Sequence, residues 1–334
     1  MSSATKALPG IKKMPVGKPF VTFCVVRKSE IQYKQSGEPY LVLELGDRSG
    51  RLKARIWKKP LEYARIAPTG SIVKIQAVVK VYQDRKELAI TRMRQATAED
   101  PVRLTDLLPA SEKDVEALRR RLSAHVEGLD HPHLKQLLSR LFDHRDFREA
   151  FFLSPAGKLW HHNYLSGLLE HVVTLLDLAD TLAVHYPEID LPLLKTGIIC
   201  HGVGKVREYS LKGFIDFSDE GRLLGYVAMG YEWIAREIGQ IEGFPGELKI
   251  RLLHLILSHP GETEGGAAVA PMTLEAVALQ HLIQLDASVN ALCRIVKNDA
   301  VPGSRWTKFI PLLERFIYVG NTSENPSSPA DPEK

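Results

Sequence analysis

Three polar side chains that can bind a metal ion occur within apolar helical segments of this sequence. His171, His201 and Asp286 each fall where the helical spacing of the surrounding leucines and isoleucines predicts a buried side chain. A carboxylate that is buried without a partner costs free energy, whereas two imidazoles and a carboxylate satisfy one another around a divalent cation. The spacing predicts a metal site if the three segments meet in space. For any one of these residues alone, a hydrogen-bonded core side chain is the alternative.

Helices have to position these residues, because almost no strand pattern occurs after residue 110. The three helices that would carry the candidate ligands are predicted over residues 164–185, 191–203 and 273–297. Gly and Pro residues separate the predicted segments. The other predicted helices cover residues 112–127, 132–142, 146–153, 221–238, 247–258 and 306–318.

The first hundred residues have the pattern of a small β-barrel instead. Strands are predicted over residues 20–28, 40–45, 51–57, 71–82 and 87–91, with a helix at 60–65. Five strands with a helix between the third and fourth are typical of an OB-fold. The predicted fold class is therefore multidomain α+β, with a five-stranded OB-fold barrel followed by an all-α helical domain. The expected divisions are an N-terminal arm (1–16), the barrel (17–96), a linker (97–110), the helical domain (111–320) and a disordered tail (321–334).

The barrel segment is strongly basic. Residues 1–96 hold 20 Lys/Arg against 7 Asp/Glu, and the rest of the chain holds 24 against 33. Tyr40, Lys53, Arg55 and Trp57 are predicted on the outer face of the second and third strands, where aromatic rings stack on bases and cations contact phosphates. This pattern predicts single-stranded RNA or DNA as a partner. A basic surface that serves solubility alone, with Trp57 packed against the next domain, is the alternative.

Other features limit where the protein acts. Cys24, Cys200 and Cys293 are few and far apart, which is typical of a reducing cytoplasm and gives no zinc-ligand spacing. The sequence has no signal-peptide pattern and no run of roughly 20 apolar residues, so a membrane is not expected as a partner. Both a monomer and a homo-oligomer are compatible with the sequence.

Several motifs in order resemble a known family. They are 161–164 (HHNY), 167–171 (GLLEH), 201–205 (HGVGK), 207–210 (REYS), 219–225 (DEGRLLG), 257–262 (LSHPGE) and 285–290 (LDASVN). Together they resemble an HD-domain phosphohydrolase. A barrel of the OB type followed by this domain is similar to the YhaM-type 3′–5′ exoribonucleases, and the resemblance extends over residues 17–315.

The resemblance implies hydrolysis of single-stranded RNA or DNA from the 3′ end with divalent metals, commonly Mn²⁺. By motif position, His171, His201 and Asp286 match ligands of a first metal and His259 matches a ligand of a second. Lys205 matches a lysine that contacts phosphate. The sequence departs from the pattern at three ligand positions, which hold Gly202, Tyr226 and Pro260.

These departures leave two hypotheses. In the first, the chain binds single-stranded nucleic acid and its catalytic activity is weak or lost. In the second, it is an active phosphodiesterase with one Mn, Fe or Zn ion on His171, His201 and Asp286, completed by His259, His254 or water. Under the first hypothesis the protein can also hold no metal. Asp219 and Glu220 would assist acid–base chemistry in the second hypothesis, or favour the start of a helix.

Overall fold

A closed β-barrel occupies the N-terminal part of the computed structural model, which describes residues 10–261 and 266–320. The strand order around the barrel is β1-β2-β3-β5-β4, in which β3 and β5 pair in parallel and the other neighbours are antiparallel. The elements are β1 Pro19–Tyr33, β2 Pro39–Asp47, β3 Gly50–Ile56, α1 Pro60–Ile66, β4 Ile72–Tyr82 and β5 Arg85–Gln95. The predicted five-stranded barrel with a helix between the third and fourth strands is confirmed.

The alternation of side chains along β2 and β3 explains why these strands form a barrel wall. Leu41, Leu43 and Leu45 are fully buried, and the residues between them are more exposed. On β3, Ala54 is buried whereas its neighbour Lys53 is exposed. A period of two places one set of side chains in the barrel core and leaves the other set outside.

The segment before the barrel also contributes to its core. Ile11 and Met14 are buried there, and Ile11 opens a short 3-10 helix (Ile11–Lys13). The backbone N–H of Ile11 donates to Asp47 Oδ2 at 2.7 Å. This contact attaches the segment to the end of β2.

The segment between the barrel and the later helices is packed rather than extended into solvent. It contains a short helix, α2 Leu104–Leu107. Leu107 is buried against Phe23 and Val25 of β1. Ala110 then forms a β-bridge with Leu165 of the helical region.

Helices make up most of the chain from residue 115 onward. They are α3 Val115–Glu127, α4 Pro132–Asp143, α5 Arg145–Leu153, α6 Gly167–His185, α7 Leu191–Cys200, α8 Lys205–Glu208, α9 Asp219–Ile238, α10 Gly246–Ser258 and α11 Leu274–Asp299. Their apolar faces meet in one core that includes residues of α3 through α7 and α9 through α11. No helix among the described residues is long and apolar enough to cross a bilayer.

Two details of the helical region differ from expectation. The region is not entirely helical, because β6 Tyr209–Ser210 and β7 Asp216–Phe217 form a two-stranded sheet. The prediction of a helix over residues 306–318 is wrong. That stretch folds back on itself, with Trp306 bridged to Tyr318 and Ile310 to Arg315. Two aromatic pairs of this stretch, Trp306 with Tyr318 and Phe309 with Phe316, instead face each other across the turn. The expected tail (321–334) lies outside the described residues.

Candidate functional site

A row of histidines lies inside the helical region. The ring centroids of His171 and His201 are 5.4 Å apart, and those of His201 and His259 are 5.2 Å apart. His171 lies on α6, whereas His201 and His259 end α7 and α10. All three side chains are buried. Three separate helices therefore bring together histidines that are far apart in the sequence.

Helix ends orient two of these rings. The last carbonyls of a helix lack intrahelical partners, so a side-chain N–H there can donate to them. His201 Nδ1 donates to the carbonyl of Ile198 at 2.5 Å, and His259 Nδ1 donates to that of Ile256 at 2.8 Å. With Nδ1 protonated in the neutral ring, the lone pair of each is on Nε2.

Asp286 orients the third ring. Its Oδ2 lies 2.5 Å from His171 Nδ1 and accepts a hydrogen bond from the N–H at that position. The Nε2 atoms of His171 and His201 are buried and have no hydrogen-bond partner among the described residues. Burial raises the pKa of Asp286 to about 6. A carboxylate that holds one imidazole nitrogen while the other stays unpartnered is a common arrangement around protein-bound metals.

The nitrogen of His259 that would face an ion is engaged instead. The Tyr226 hydroxyl donates to His259 Nε2 at 2.9 Å. Tyr226 follows Gly225, whose φ of 72° kinks α9 at this point. Burial lowers the pKa of His259 to about 3, so the ring is neutral and accepts this hydrogen bond. Tyr226, which stands at one expected ligand position, therefore hydrogen-bonds the nitrogen of His259 that a metal ion would need.

Replacing Tyr226 by Phe is expected to lower the free energy of unfolding by about 1 kcal/mol. The change leaves the buried His259 Nε2 without a partner, and an unsatisfied buried polar atom carries a desolvation penalty. Chemical denaturation measures the difference. Tyr231→Phe on the same helix is the control, because Tyr231 is partly exposed. An equal loss in both variants would show that the hydrogen bond contributes nothing.

Lys205 lies beside this pair. Its Nζ is 3.7 Å from the centre of the Tyr226 ring, and its side chain is buried. Burial lowers the pKa of Lys205 to about 8, while nearby Glu208 acts to raise it. The lysine therefore places a cation next to the histidine row, covered by an aromatic ring.

Gly202 and Pro260 add no ligand to the row. Gly202 is buried, and a Cβ built there would lie 2.6 Å from Leu168 Cδ1. The space that an aspartate would need is thus taken up in part by a core leucine. Pro260 directly follows His259 and is partly buried.

Two histidines that sequence reasoning assigned no role belong to the same cluster. His161 and His162 lie with ring centroids 4.9 Å and 5.2 Å from that of His171. Among the described residues, His161, His162 and His171 are the group whose candidate ligand atoms all lie within 4.8 Å of one another. The adjacent His-His pair was the available signal, but its segment showed no helical periodicity to predict where the rings point.

Other residues considered as helpers lie in different settings. His254 Nε2 accepts from the backbone N–H of Met272 at 3.0 Å. Glu220 forms an ion pair with Arg207, and Asp219 lies in the first turn of α9. The structure thus gives Asp219 and Glu220 positions suited to a helix N-terminus.

The outer face of the barrel carries the other predicted site. The rings of Tyr40 and Trp57 stack with centroids 4.6 Å apart, and Trp57 is 53% exposed. Trp57 therefore packs on the barrel itself, not against the helical region as the alternative supposed. Lys34 Nζ lies 5.3 Å from the centre of the Trp57 ring.

The two predicted cations on this face differ. Arg55 is held by Glu87, with Nη1 2.5 Å from Oε2. Lys53 is exposed and forms no ion pair within the described part of the chain. A groove of about 930 Å³ borders the face, and Trp57, Lys58, Lys80 and Tyr82 are among its lining residues. Lys53 is therefore the more available of the two cations for a phosphate.

Comparison with known proteins places both regions in context. A family model described as an OB-fold nucleic-acid-binding domain matches residues 25–96. Three curated relatives, each called 3′-5′ exoribonuclease YhaM, match nearly the whole chain. The one from Halalkalibacterium halodurans is 30% identical over 322 residues, which is 95% of this chain and 98% of the relative. Those from Shouchella clausii (31%) and Oceanobacillus iheyensis (30%) cover the same shares.

Proposed function

The chain belongs to the family of YhaM-type 3′–5′ exoribonucleases, and we propose that it binds single-stranded RNA through its barrel while its nuclease activity is weak or lost. We assign nucleic-acid binding to residues 17–96 and an HD-type domain with a degenerate site to residues 111–320. Free Cys24, Cys200 and Cys293 favour a cytoplasmic location.

Binding is supported by the composition of the barrel face. The stacked pair of Tyr40 and Trp57 offers an exposed aromatic platform, and every base has a face that can stack on it. Lys58 and Lys80 line the groove beside Trp57, and the exposed Lys53 lies further along the same face of β3, so positive charge borders the platform. Such a combination favours single strands, because bases in a duplex are already stacked on one another.

Loss of catalysis is supported most directly by the hydrogen bond between Tyr226 and His259. A two-metal centre requires a bridging carboxylate and several nitrogen or oxygen ligands. Gly202 and Pro260 supply none, and the bond to Tyr226 engages the free nitrogen of His259. The donor set that is present does not fit two ions. Because each 1.36 kcal/mol of lost transition-state stabilisation lowers the rate tenfold, a severe loss of rate follows.

The active phosphodiesterase stays a second candidate for one reason. The buried Nε2 atoms of His171 and His201 have no hydrogen-bond partner in the part of the chain that the structure describes, and Asp286 orients the ring of His171. Because Asp286 is bonded to Nδ1 of His171, these two Nε2 atoms are the free ligands, and a single Mn, Fe or Zn ion on them would need water to complete its coordination. Such an ion supplies charge stabilisation and an activated water. On the protein side, Lys205 would need to leave the face of Tyr226 to contact a phosphate.

An RNA assay separates the two candidates. A 5′-labelled, unstructured 30-nucleotide RNA is incubated with the full chain and Mn²⁺, and binding and shortening are followed in parallel. We expect a complex and no ladder of shortened products. A ladder that disappears in His201→Ala would contradict the proposal and favour the one-metal enzyme. A ladder that persists in that variant would indicate a contaminating nuclease.

A further inference from the structure

One pair of atoms near the histidine row has the separation of two ligands on one ion. His161 Nδ1 and His162 Nδ1 lie 3.3 Å apart, which also allows one ring to hydrogen-bond the other when no ion is bound. Two nitrogens bound at 2.0–2.1 Å to a tetrahedral ion are separated by about 3.3–3.4 Å. One ring nitrogen from each of His161, His162 and His171 lies within 4.8 Å of the other two. We propose that His161, His162 and His171 bind a transition-metal ion of the Zn²⁺ or Co²⁺ class, at a site that shares His171 but neither His201 nor His259 with the motif positions.

The surroundings hold two of the three residues firmly. The backbone N–H of His162 donates to Asn290 Oδ1 at 2.9 Å, and Asp286 accepts from His171 at 2.5 Å. Asn290 and Asp286 lie one turn apart on α11, so one helix face supports both histidines. Groups around a metal that orient its ligands in this way commonly change metal affinity 10- to 100-fold when removed.

The backbone at this point is also strained. His162 has a φ of 41°, a left-handed conformation that residues other than glycine adopt infrequently. Gly167 contributes to this geometry, because a Cβ there would lie 2.1 Å from the His162 carbonyl oxygen. Strained backbone that the surroundings keep in place is concentrated at functional sites. Here the strain places two consecutive imidazoles on one side of the chain.

A second network stabilises the same corner. Asn290 Nδ2 donates to the Tyr164 hydroxyl at 3.1 Å, and this hydroxyl donates to Glu170 Oε2 at 3.1 Å. Ser111 also donates to Glu170, and Lys113 forms an ion pair with it. Asn290, which accepts from His162, is thus fixed in place by hydrogen bonds through Tyr164 to Glu170. This network favours a site that is formed before an ion binds.

The ligand chemistry determines the class of ion. Three neutral imidazoles favour zinc, cobalt, nickel, copper or iron, whereas Mg²⁺ and Mn²⁺ prefer oxygen ligands. Asp286 lies next to the cluster and offers a compensating negative charge.

Titration with Co²⁺ tests the site in the absence of RNA, so its outcome does not depend on the proposed function. Full-length protein stripped with chelator is titrated with CoCl₂ while the visible absorption of the bound ion is recorded, followed by competition with ZnCl₂. We expect a saturable spectrum that Zn²⁺ abolishes. His161→Gln and His162→Asn should each weaken Co²⁺ binding at least tenfold. Asparagine is chosen for position 162 because it tolerates a positive φ.

The controls distinguish this site from the motif positions. His259→Gln and His254→Gln should bind Co²⁺ like the unaltered protein, because His259 is engaged by Tyr226 and His254 by Met272.

The inference is overturned if no saturable spectrum forms, if His161→Gln binds normally, or if His201→Gln weakens binding as much as His161→Gln does. Circular dichroism of each metal-free variant checks the fold. His161 is the less buried of the adjacent pair, so its variant keeps the test valid if His162→Asn unfolds.

Discussion

Trp57→Ala is expected to weaken the binding of single-stranded RNA 10- to 100-fold. Stacking on an aromatic side chain contributes about 1–3 kcal/mol per base, and the loss of Trp57 also removes the ring against which Tyr40 is stacked. Fluorescence anisotropy with a labelled oligonucleotide measures the change. The dependence of affinity on salt should stay the same, because no charge is removed.

Two further variants test whether the loss of RNA binding is specific to this face of the barrel. Trp306→Ala is the matched control, since Trp306 is exposed to a similar degree but lies outside the barrel, against Tyr318. It should bind like the unaltered protein. Lys53→Ala should weaken binding less and reduce the salt slope by about 0.7, the value for one single-strand phosphate contact. If Trp57→Ala binds normally, the RNA does not use this face of the barrel.

The barrel was predictable from local patterns. Alternating burial along β2 and β3 has a period of two, and the turn cluster between them separates the strands clearly. The exposed positions of Trp57 and Lys53 followed from the same alternation. The ion pair of Arg55 with Glu87 did not, because it joins β3 to β5, and strand pairing across a barrel is not encoded in any one segment.

The helical region was predictable in its elements and less so in its site. Helical periodicity gave the buried positions of His171 and His201, although their role as metal ligands stays a prediction. The hydrogen bond from Tyr226 to His259 depends on a kink at Gly225, and the placement of His161 and His162 depends on backbone strain. Neither has a periodic signal. At residues 306–318 the periodic signal was present but misleading. The apolar spacing predicted a helix, whereas the stretch folds back on itself.

Two of the three positions that depart from the resembled motif pattern, Gly202 and Tyr226, are closely packed. Tyr226 fills its position with a ring that bonds His259 on one side and covers Lys205 on the other. Leu168 fills the space beside Gly202. A buried cluster of lone pairs without an ion is costly unless other donors satisfy it. Under the proposal of a degenerate site, these contacts would stabilise the helical core without two metal ions, with the Nε2 atoms of His171 and His201 left unpartnered among the described residues.

The triple variant Gly202→Asp, Tyr226→His and Pro260→His should make folding depend on metal. Without an ion it adds a buried carboxylate with no partner, which costs about 3–5 kcal/mol, and its Cβ must displace Leu168 Cδ1. Saturating Mn²⁺ should return about 2.7 kcal/mol at a concentration 100 times its Kd. Thermal unfolding with chelator and with MnCl₂ measures both effects.

A neutral version of the same variant separates charge from size. Gly202→Asn in the triple background contacts Leu168 in the same way but supplies no carboxylate, so Mn²⁺ should leave its unfolding unchanged. If Mn²⁺ stabilises both versions equally, the ion binds elsewhere and position 202 is not part of a metal site. If it stabilises neither, the helices do not converge on a two-metal geometry. A gain confined to the aspartate version would mean that the ligand positions kept their arrangement after their side chains were replaced.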